Sequence, residues 1–267
     1  MPTFSGHVSK MGVTHSDPVS YDLRLDDQRI ELNPYIGKRI KMQFAGAIEC
    51  VHCSRKIKKS YNQGYCFPCS QRLAQCDMCI VRPHTCHYHL GTCREPEWGE
   101  THCLQPHIVY LANSSGVKVG ITRREQIPTR WIDQGARHAL PIVAASSRRL
   151  SGLLEVAIGQ HVSDRTDWRK MLRGDPDPID LVQRRDEYLS ACETELAELR
   201  AEFGQDSFTV IADAKPVDIS YAVQEYPVKV RSLNFDKLPE IEATLLGIKG
   251  QYLILDQGVL NMRRHGG

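Results

Sequence analysis

The chain has 267 residues, 41% of them hydrophobic and 25% charged, with a net charge of +2. That is the composition of a globular protein long enough for two or three small domains. No apolar run is long enough to span a bilayer. The start, Met1-Pro2-Thr3-Phe4-Ser5-Gly6-His7, lacks the basic and apolar regions of a signal peptide, so the expected compartment is the cytoplasm, where thiols stay reduced.

The near-neutral total hides an uneven distribution. Lys38 to Lys59 holds seven basic residues against Glu49 alone, and Lys118 to Arg149 holds seven against Glu125 and Asp133. From Asp180 to Asp206 the balance reverses, with eight acidic and three basic residues. Two basic surfaces and an acidic helix are expected.

In chain order, residues 1–48 form an N-terminal β segment. Val19 to Leu25 and Arg39 to Phe44 alternate apolar and polar at period two, with turns at Asp26-Asp27 and Asn33-Pro34. Residues 49–106 form a cysteine-rich module containing nine of the ten cysteines. Cys50-x2-Cys53, Cys66-x2-Cys69 and Cys76-x2-Cys79 open it, and Cys86, Cys93 and Cys103 complete it. In a Cys-x2-Cys pair, two thiolates can reach one tetrahedral ion across a single turn, so the array points to zinc. Glycines and prolines leave this segment little regular structure, and metal must stand in for a hydrophobic core.

Cys50, Cys53, Cys66 and Cys69 make a closed zinc ribbon or treble clef. Cys76 and Cys79 need two further ligands from Cys86, Cys93, Cys103, His87 and His89. A cross-braced alternative pairs Cys50 and Cys53 with Cys76 and Cys79. His52 and His84 read as solvated loop histidines. Two structural Zn2+ ions are expected, since closed thiolate shells leave no open position for substrate. Lys56, Lys58 and Lys59, with Tyr61 and Tyr65, suit a nucleic-acid backbone with some base stacking; Arg123 and Arg124 would extend the basic surface.

Beyond the array, His107 to Ala112 and Val117 to Thr122 read as a hairpin around Asn113-Ser114-Ser115-Gly116. Pro128 suits the start of a short helix over 129–133. Leu140 to Ala145 reads as a third strand and Leu150 to His161 as a helix. Asp175-Pro176-Asp177-Pro178 breaks the chain before a long acidic helix over 176–207. Its stripe of Leu189, Cys192, Leu196, Leu199 and Phe203 makes Cys192 a buried thiol rather than a ligand. Residues 208–267 form a C-terminal β segment with strands at 209–211, 228–230, 241–246 and 252–255, open to combination with the N-terminal strands. The fold class is α+β.

In the hairpin, Ile108, Tyr110 and Ala112 share one face, and Lys118, Gly120 and Thr122 share one face of the partner strand. If those faces coincide, a phenol and an ammonium stand side by side, with a glycine opening space between them. Arg130 follows near a helix start. Glu155 is the only ionisable residue between Leu150 and Gln160, and a carboxylate in such surroundings needs a partner, a metal or a proton.

Together these residues resemble the GIY-YIG nuclease core over 107–175. Ile108-Val109-Tyr110 stands for the first motif and Lys118-Val119-Gly120 for the second, with Arg130 and Glu155 as the helix arginine and the acidic ligand. The resemblance implies phosphodiester hydrolysis with one divalent ion, usually Mg2+, held by Glu155. Metal and Arg130 would stabilise the phosphate, Tyr110 would activate or position water, and Lys118 would contact phosphate or lower the Tyr110 phenol through its charge. Ile108 replaces the first-motif glycine and Lys118 the second-motif tyrosine, which fits equally a core that binds without cutting. Thr166-Asp167-Trp168 stands where that family often has a late asparagine. Over its whole length the chain also resembles an uncharacterised family of cysteine-rich bacterial proteins.

Three functional readings follow: a metal-dependent endonuclease, a non-catalytic DNA-, RNA- or ribonucleoprotein-binding zinc protein, and a zinc-stabilised scaffold that meets a protein partner through its acidic helix.

Overall fold

The computed structural model describes residues 2–162 and 167–267. The chain opens with an antiparallel meander, β1 (Gly12–Thr14), β2 (Ser20–Leu25) and β3 (Gln28–Glu31). Asp26, in the β2–β3 turn, adopts the left-handed conformation that a short side chain tolerates. β4 (Arg39–Gln43) leaves this meander and is taken up by a sheet formed much later in the chain. A two-stranded ladder, β5 (Ile48–Glu49) and β6 (Lys56–Ile57), brackets the first cysteine pair. The rest of the cysteine-rich module holds the short helices α1 (Phe67–Arg72) and α2 (Pro96–His102), joined by single 3-10 turns.

The centre of the molecule is built by β7 (His107–Asn113), β8 (Val117–Arg123), α3 (Thr129–Asp133), β9 (His138–Ala145) and α4 (Arg148–Gly159). Then come α5 (Trp168–Met171), α6 (Leu181–Ala191), α7 (Glu193–Phe203), β10 (Phe208–Val210) and β11 (Val217–Asp218). β7 lies in the middle of an antiparallel sheet of order β10-β9-β7-β8, and β11 extends the β10 edge along β9. All seven residues of β7 are buried, as befits a strand with layers on both faces. Val109 and Leu111 face a helical layer, meeting Leu150, Leu154 and Ile158 of α4 and Leu196 and Leu199 of α7. Ile108, Tyr110 and Ala112 face the opposite way, into a core shared with Met11, Tyr21, Ala243 and Leu253.

That second core is closed by the last sheet, β12 (Ser232–Leu233), β13 (Glu240–Lys249), β14 (Tyr252–Leu255) and β15 (Gly258–Asn261), in the order β12-β15-β14-β13-β4. The N- and C-terminal β segments therefore combine: β4 pairs with β13 from Arg39↔Thr244 to Gln43↔Glu240. No helix among the described residues is long and apolar enough to cross a membrane.

The mixed α and β content agrees with the sequence, as do the hairpin, the third strand and the helix after it. Three differences stand out among the elements. The long acidic helix is two helices, because the backbone turns out of the helical region at Cys192 (φ −111°, ψ 25°). The strand expected at 228–230 is a loop, with Val228 96% exposed: among the described residues its alternation has no neighbouring strand to pair with. Gly258–Asn261 is a strand the sequence did not announce, formed because the turn after Leu255 returns the chain antiparallel to β14.

Candidate metal centre

Cys50 and Cys53 sit on the loop between β5 and β6, while Cys66 is the N-cap of α1 and Cys69 lies in that helix's first turn. The chain thus presents a two-cysteine loop to a helix N-terminus, where backbone N–H groups point outward and favour anions. The four sulfurs all lie within 4.8 Å of one another. Cys53 Sγ and Cys66 Sγ are 3.8 Å apart. A tetrahedral ion with Zn–S bonds of about 2.3 Å needs sulfurs about 3.8 Å apart, so the cluster fits zinc.

Backbone donors complete the cradle. The Cys66 N–H donates to Cys50 Sγ at 3.2 Å and the Cys69 N–H to Cys66 Sγ at 3.4 Å. Burial works against ionising Cys50, but the N–H groups of Cys66, Cys53 and His52 outweigh it and lower its thiol to about 6. Among the described residues, Leu73 joins Cys50, Cys66 and Cys69 in the buried cluster here, with Ile57 and Tyr65 half-buried against it, so little apolar burial supports the fold of this module. Structural zinc contributes roughly 10–16 kcal/mol per ion to small modules of this kind. The cross-braced pairing is overturned, because Cys50 and Cys53 meet Cys66 and Cys69.

A second group brings Asp77, Cys79 and His87 within the same 4.8 Å span. Asp77 caps the turn Met78–Ile80 by accepting from the Cys79 N–H at 3.0 Å, and pairs with Arg94 Nε at 2.7 Å. Cys86, Cys93 and Cys103 line a pocket with Cys79, Asp77 and His87. Cys76 stands apart from that pocket, packed against the first cluster. His89 is exposed. Asp77 escaped the sequence reading; its position beside Cys76-x2-Cys79 was the available signal.

The downstream polar residues converge on the buried face of the hairpin. Tyr110 is paired directly with Gly120, Ala112 with Lys118 and Ile108 with Thr122, so the two strand faces coincide. The Tyr110 ring lies across Gly120, where a Cβ would come within 2.7 Å of its hydroxyl. That hydroxyl donates to Gln134 Oε1 at 3.1 Å, and the ring meets Trp131 edge-on at 5.9 Å. Tyr110 has no exposed surface, and burial raises its phenol; the nearby Arg130 charge opposes this and the Glu155 charge adds to it. Arg130 on α3 and Glu155 on α4 are half-buried, and Lys118 is buried. Gln134 was not singled out from sequence, because a residue at the end of α3 reaches Tyr110 only through the fold. Asp167 caps α5 by accepting from the N–H groups of Arg169 and Lys170, while Thr166 lies outside the described residues.

Lys56, Lys58 and Lys59 are exposed on the cysteine-rich module. Arg124 is exposed too, whereas Arg123 is half-buried and pairs with Glu125 at 3.0 Å. Tyr65 is drawn into the module's core, but Tyr61 stays near the surface beside Phe67, ring centroids 5.5 Å apart, with Lys59 Nζ 5.4 Å from the Tyr61 centroid. Phe67, 56% exposed, was not expected to take part in this face.

No curated protein and no solved structure matches the chain. The sequence from residue 37 to 267 matches the family described as "Protein of unknown function (DUF2797)", and with a cysteine cluster fit for zinc and a mixed α and β fold, the chain belongs to that family.

Proposed function

We propose that this is a zinc-stabilised nucleic-acid-binding protein whose first cysteine cluster carries a face for single-stranded DNA or RNA. The observation behind this reading is the stretch from Cys50 to Arg72. It holds Arg55, Lys56, Lys58, Lys59 and Arg72 and no carboxylate, and all five cations are exposed. Phe67 and Tyr61 stand among them as flat surfaces on which bases can stack. Cations that track phosphates beside aromatic platforms are the usual equipment for strand binding without base-specific hydrogen bonds.

Fluorescence anisotropy with labelled single- and double-stranded DNA and RNA tests it. Binding should weaken steeply with salt. Lys58→Ala with Lys59→Ala should lower the magnitude of the log–log salt slope by about 0.7 for each phosphate that is no longer neutralised. Phe67→Ala should weaken binding at least several-fold, a stacked base contributing about 1–3 kcal/mol. Absence of binding at low salt for every probe would overturn the proposal.

Phosphodiester hydrolysis of the GIY-YIG type is the second reading, favoured by the approach of Arg130 and Glu155 to Tyr110. In it Glu155 would hold a divalent ion such as Mg2+, and Arg130 would stabilise phosphate charge. The enclosure of the Tyr110 hydroxyl, already bonded to Gln134, weighs toward binding without cutting. Magnesium-dependent cleavage that disappears in Glu155→Ala would make hydrolysis the better reading. The scaffold reading rests on the exposed Glu193 and Glu198 of α7 and has no further feature in its support.

A further inference from the structure

We infer that Cys79, Cys86, Cys93 and Cys103 form a second, all-thiolate site for a zinc-like divalent ion, with Asp77 and His87 outside its ligand shell. This stands independently of the nucleic-acid reading. The four cysteines come from four separate pieces of backbone: the 3-10 turn Met78–Ile80, the residue after the turn Pro83–Thr85, the segment before α2, and the C-cap of α2. The fold brings all four to one pocket of about 10 Å³, room for a single small ion and too tight for an organic ligand. Cys86 and Cys103 are buried, and Cys79 and Cys93 half-buried. The absence of a side chain at Gly99 helps make this room: a Cβ there would lie 3.0 Å from the Tyr88 ring and 3.5 Å from Cys93 Sγ.

The smaller set of Asp77, Cys79 and His87 is the competitor, and its acid is already engaged. Asp77 Oδ1 accepts from the Cys79 N–H at 3.0 Å, and Oδ2 is held by Arg94 Nε at 2.7 Å. An ion on Asp77 would share the carboxylate with a backbone cap and an arginine that already draw on its charge. His87 has its Nδ1 on Thr92 Oγ1 at 2.7 Å and turns Nε2 toward Asp77 Oδ1 at 3.6 Å. Both side chains are placed to orient the turns that carry the cysteines, a common role for polar groups around metal ligands. The Cys86 and Cys79 side chains lie close together on the wall of this pocket.

A second observation points to an anion at this place. Arg148, the first residue of α4, lies within electrostatic reach of Cys103 and Cys79, and more weakly of Glu155. Its Nη2 donates to the Ile80 carbonyl at 2.6 Å, but its Nε is buried without a hydrogen-bond partner, and no carboxylate among the described residues forms an ion pair with it. A guanidinium drawn partly out of water is stabilised by a compensating negative charge. Four thiolates around a divalent ion carry a net charge of −2 and supply it, and thiolates are the soft ligands that select zinc over harder ions.

Metal content of the zinc-loaded full chain, by mass spectrometry, gives the first test. Wild type should hold two zinc ions, Cys86→Ser and Cys103→Ser one each, and Asp77→Asn and His87→Ala still two. A wild type with one zinc overturns the site. So does a pattern in which His87→Ala loses zinc while Cys93→Ser and Cys103→Ser keep both. Where a serine variant is insoluble, alkylation of the wild-type protein decides. In the metal-loaded chain Cys76 should label while Cys79, Cys86, Cys93 and Cys103 stay protected until a chelator is added. Label on Cys93 or Cys103 before chelation overturns the proposal.

Discussion

Gly120 and His107 show how single residues set the character of the central sheet. Tyr110 lies over Gly120, and neither has anywhere to move, since the ring is wholly buried between two layers. Gly120→Ala should therefore overpack the core and lower stability by about 1–3 kcal/mol in chemical denaturation. His107, at the start of β7, directs Nδ1–H to the Gln105 carbonyl at 2.7 Å and buries Nε2 without a partner. Burial lowers its imidazole to about 4, so the folded state keeps it neutral. The unfolded chain takes up that proton first as pH falls, so stability present above pH 6.5 should be lost between 6.5 and about 4, by at most about 3 kcal/mol. A non-titrating His107→Gln should flatten this part of the stability-versus-pH curve; an unchanged slope would show that another group carries it. The sequence placed Tyr110 and Gly120 together because period-two alternation is a local property. It held no sign that the tyrosine is sealed in, because much of its cover, Tyr21, Ala243 and Leu253 among it, comes from strands far away in the sequence.

Among the elements, α4 has the most clearly legible sequence. Ser147 caps it by accepting from the Leu150 N–H, and Leu150, Leu154 and Ile158 line one buried face. Its contact with the cysteine-rich module was not legible. A Cβ at Gly152 would stand 2.5 Å from the His84 nitrogen and 2.6 Å from Pro83 Cβ, so the helix lies directly against that turn. Gly152→Ala raises intrinsic helix propensity, yet should destabilise by about 1–3 kcal/mol, because backbone on the other side cannot yield. A stabilised variant in thermal melts would show the contact to be loose. The Arg148 N–H, which donates to the Cys103 carbonyl at 2.8 Å, ties the same helix to the end of α2. The acidic helix teaches the converse: its stripe of Leu189, Cys192, Leu196 and Leu199 is continuous in sequence, but a break at Cys192 divides it between two shorter helices that pack on the same core.

Across the whole molecule, two kinds of cohesion coexist. The central and C-terminal sheets share extensive apolar cores, whereas among the described residues the cysteine-rich module buries little beyond Leu73, Ala74 and its thiols. A strong chelator should therefore unfold the module and leave the sheets standing. Limited proteolysis after chelation should cut within 50–103 and spare 107–160, and cleavage spread evenly over the chain would contradict this division. The last residues join the parts: the Glu49 N–H donates to the Gly267 carbonyl, the Gly267 N–H to the Val8 carbonyl, and Arg263 to the Gln63 side chain.

Local chemistry was readable from the chain alone. Cys-x2-Cys spacing depends on a single turn, strand alternation on the pleat, and helix stripes on the helical pitch, so the zinc-fit cluster, the hairpin and α4 could all be recognised before folding was considered. The tertiary structure decided which cysteines share a pocket, that Cys76 stands aside, and that β4 pairs with β13. It also decided that Tyr110 faces a core and that Arg148 faces thiols. These are meetings between segments far apart in sequence, set by the closure of whole layers, and no short-range pattern encodes them.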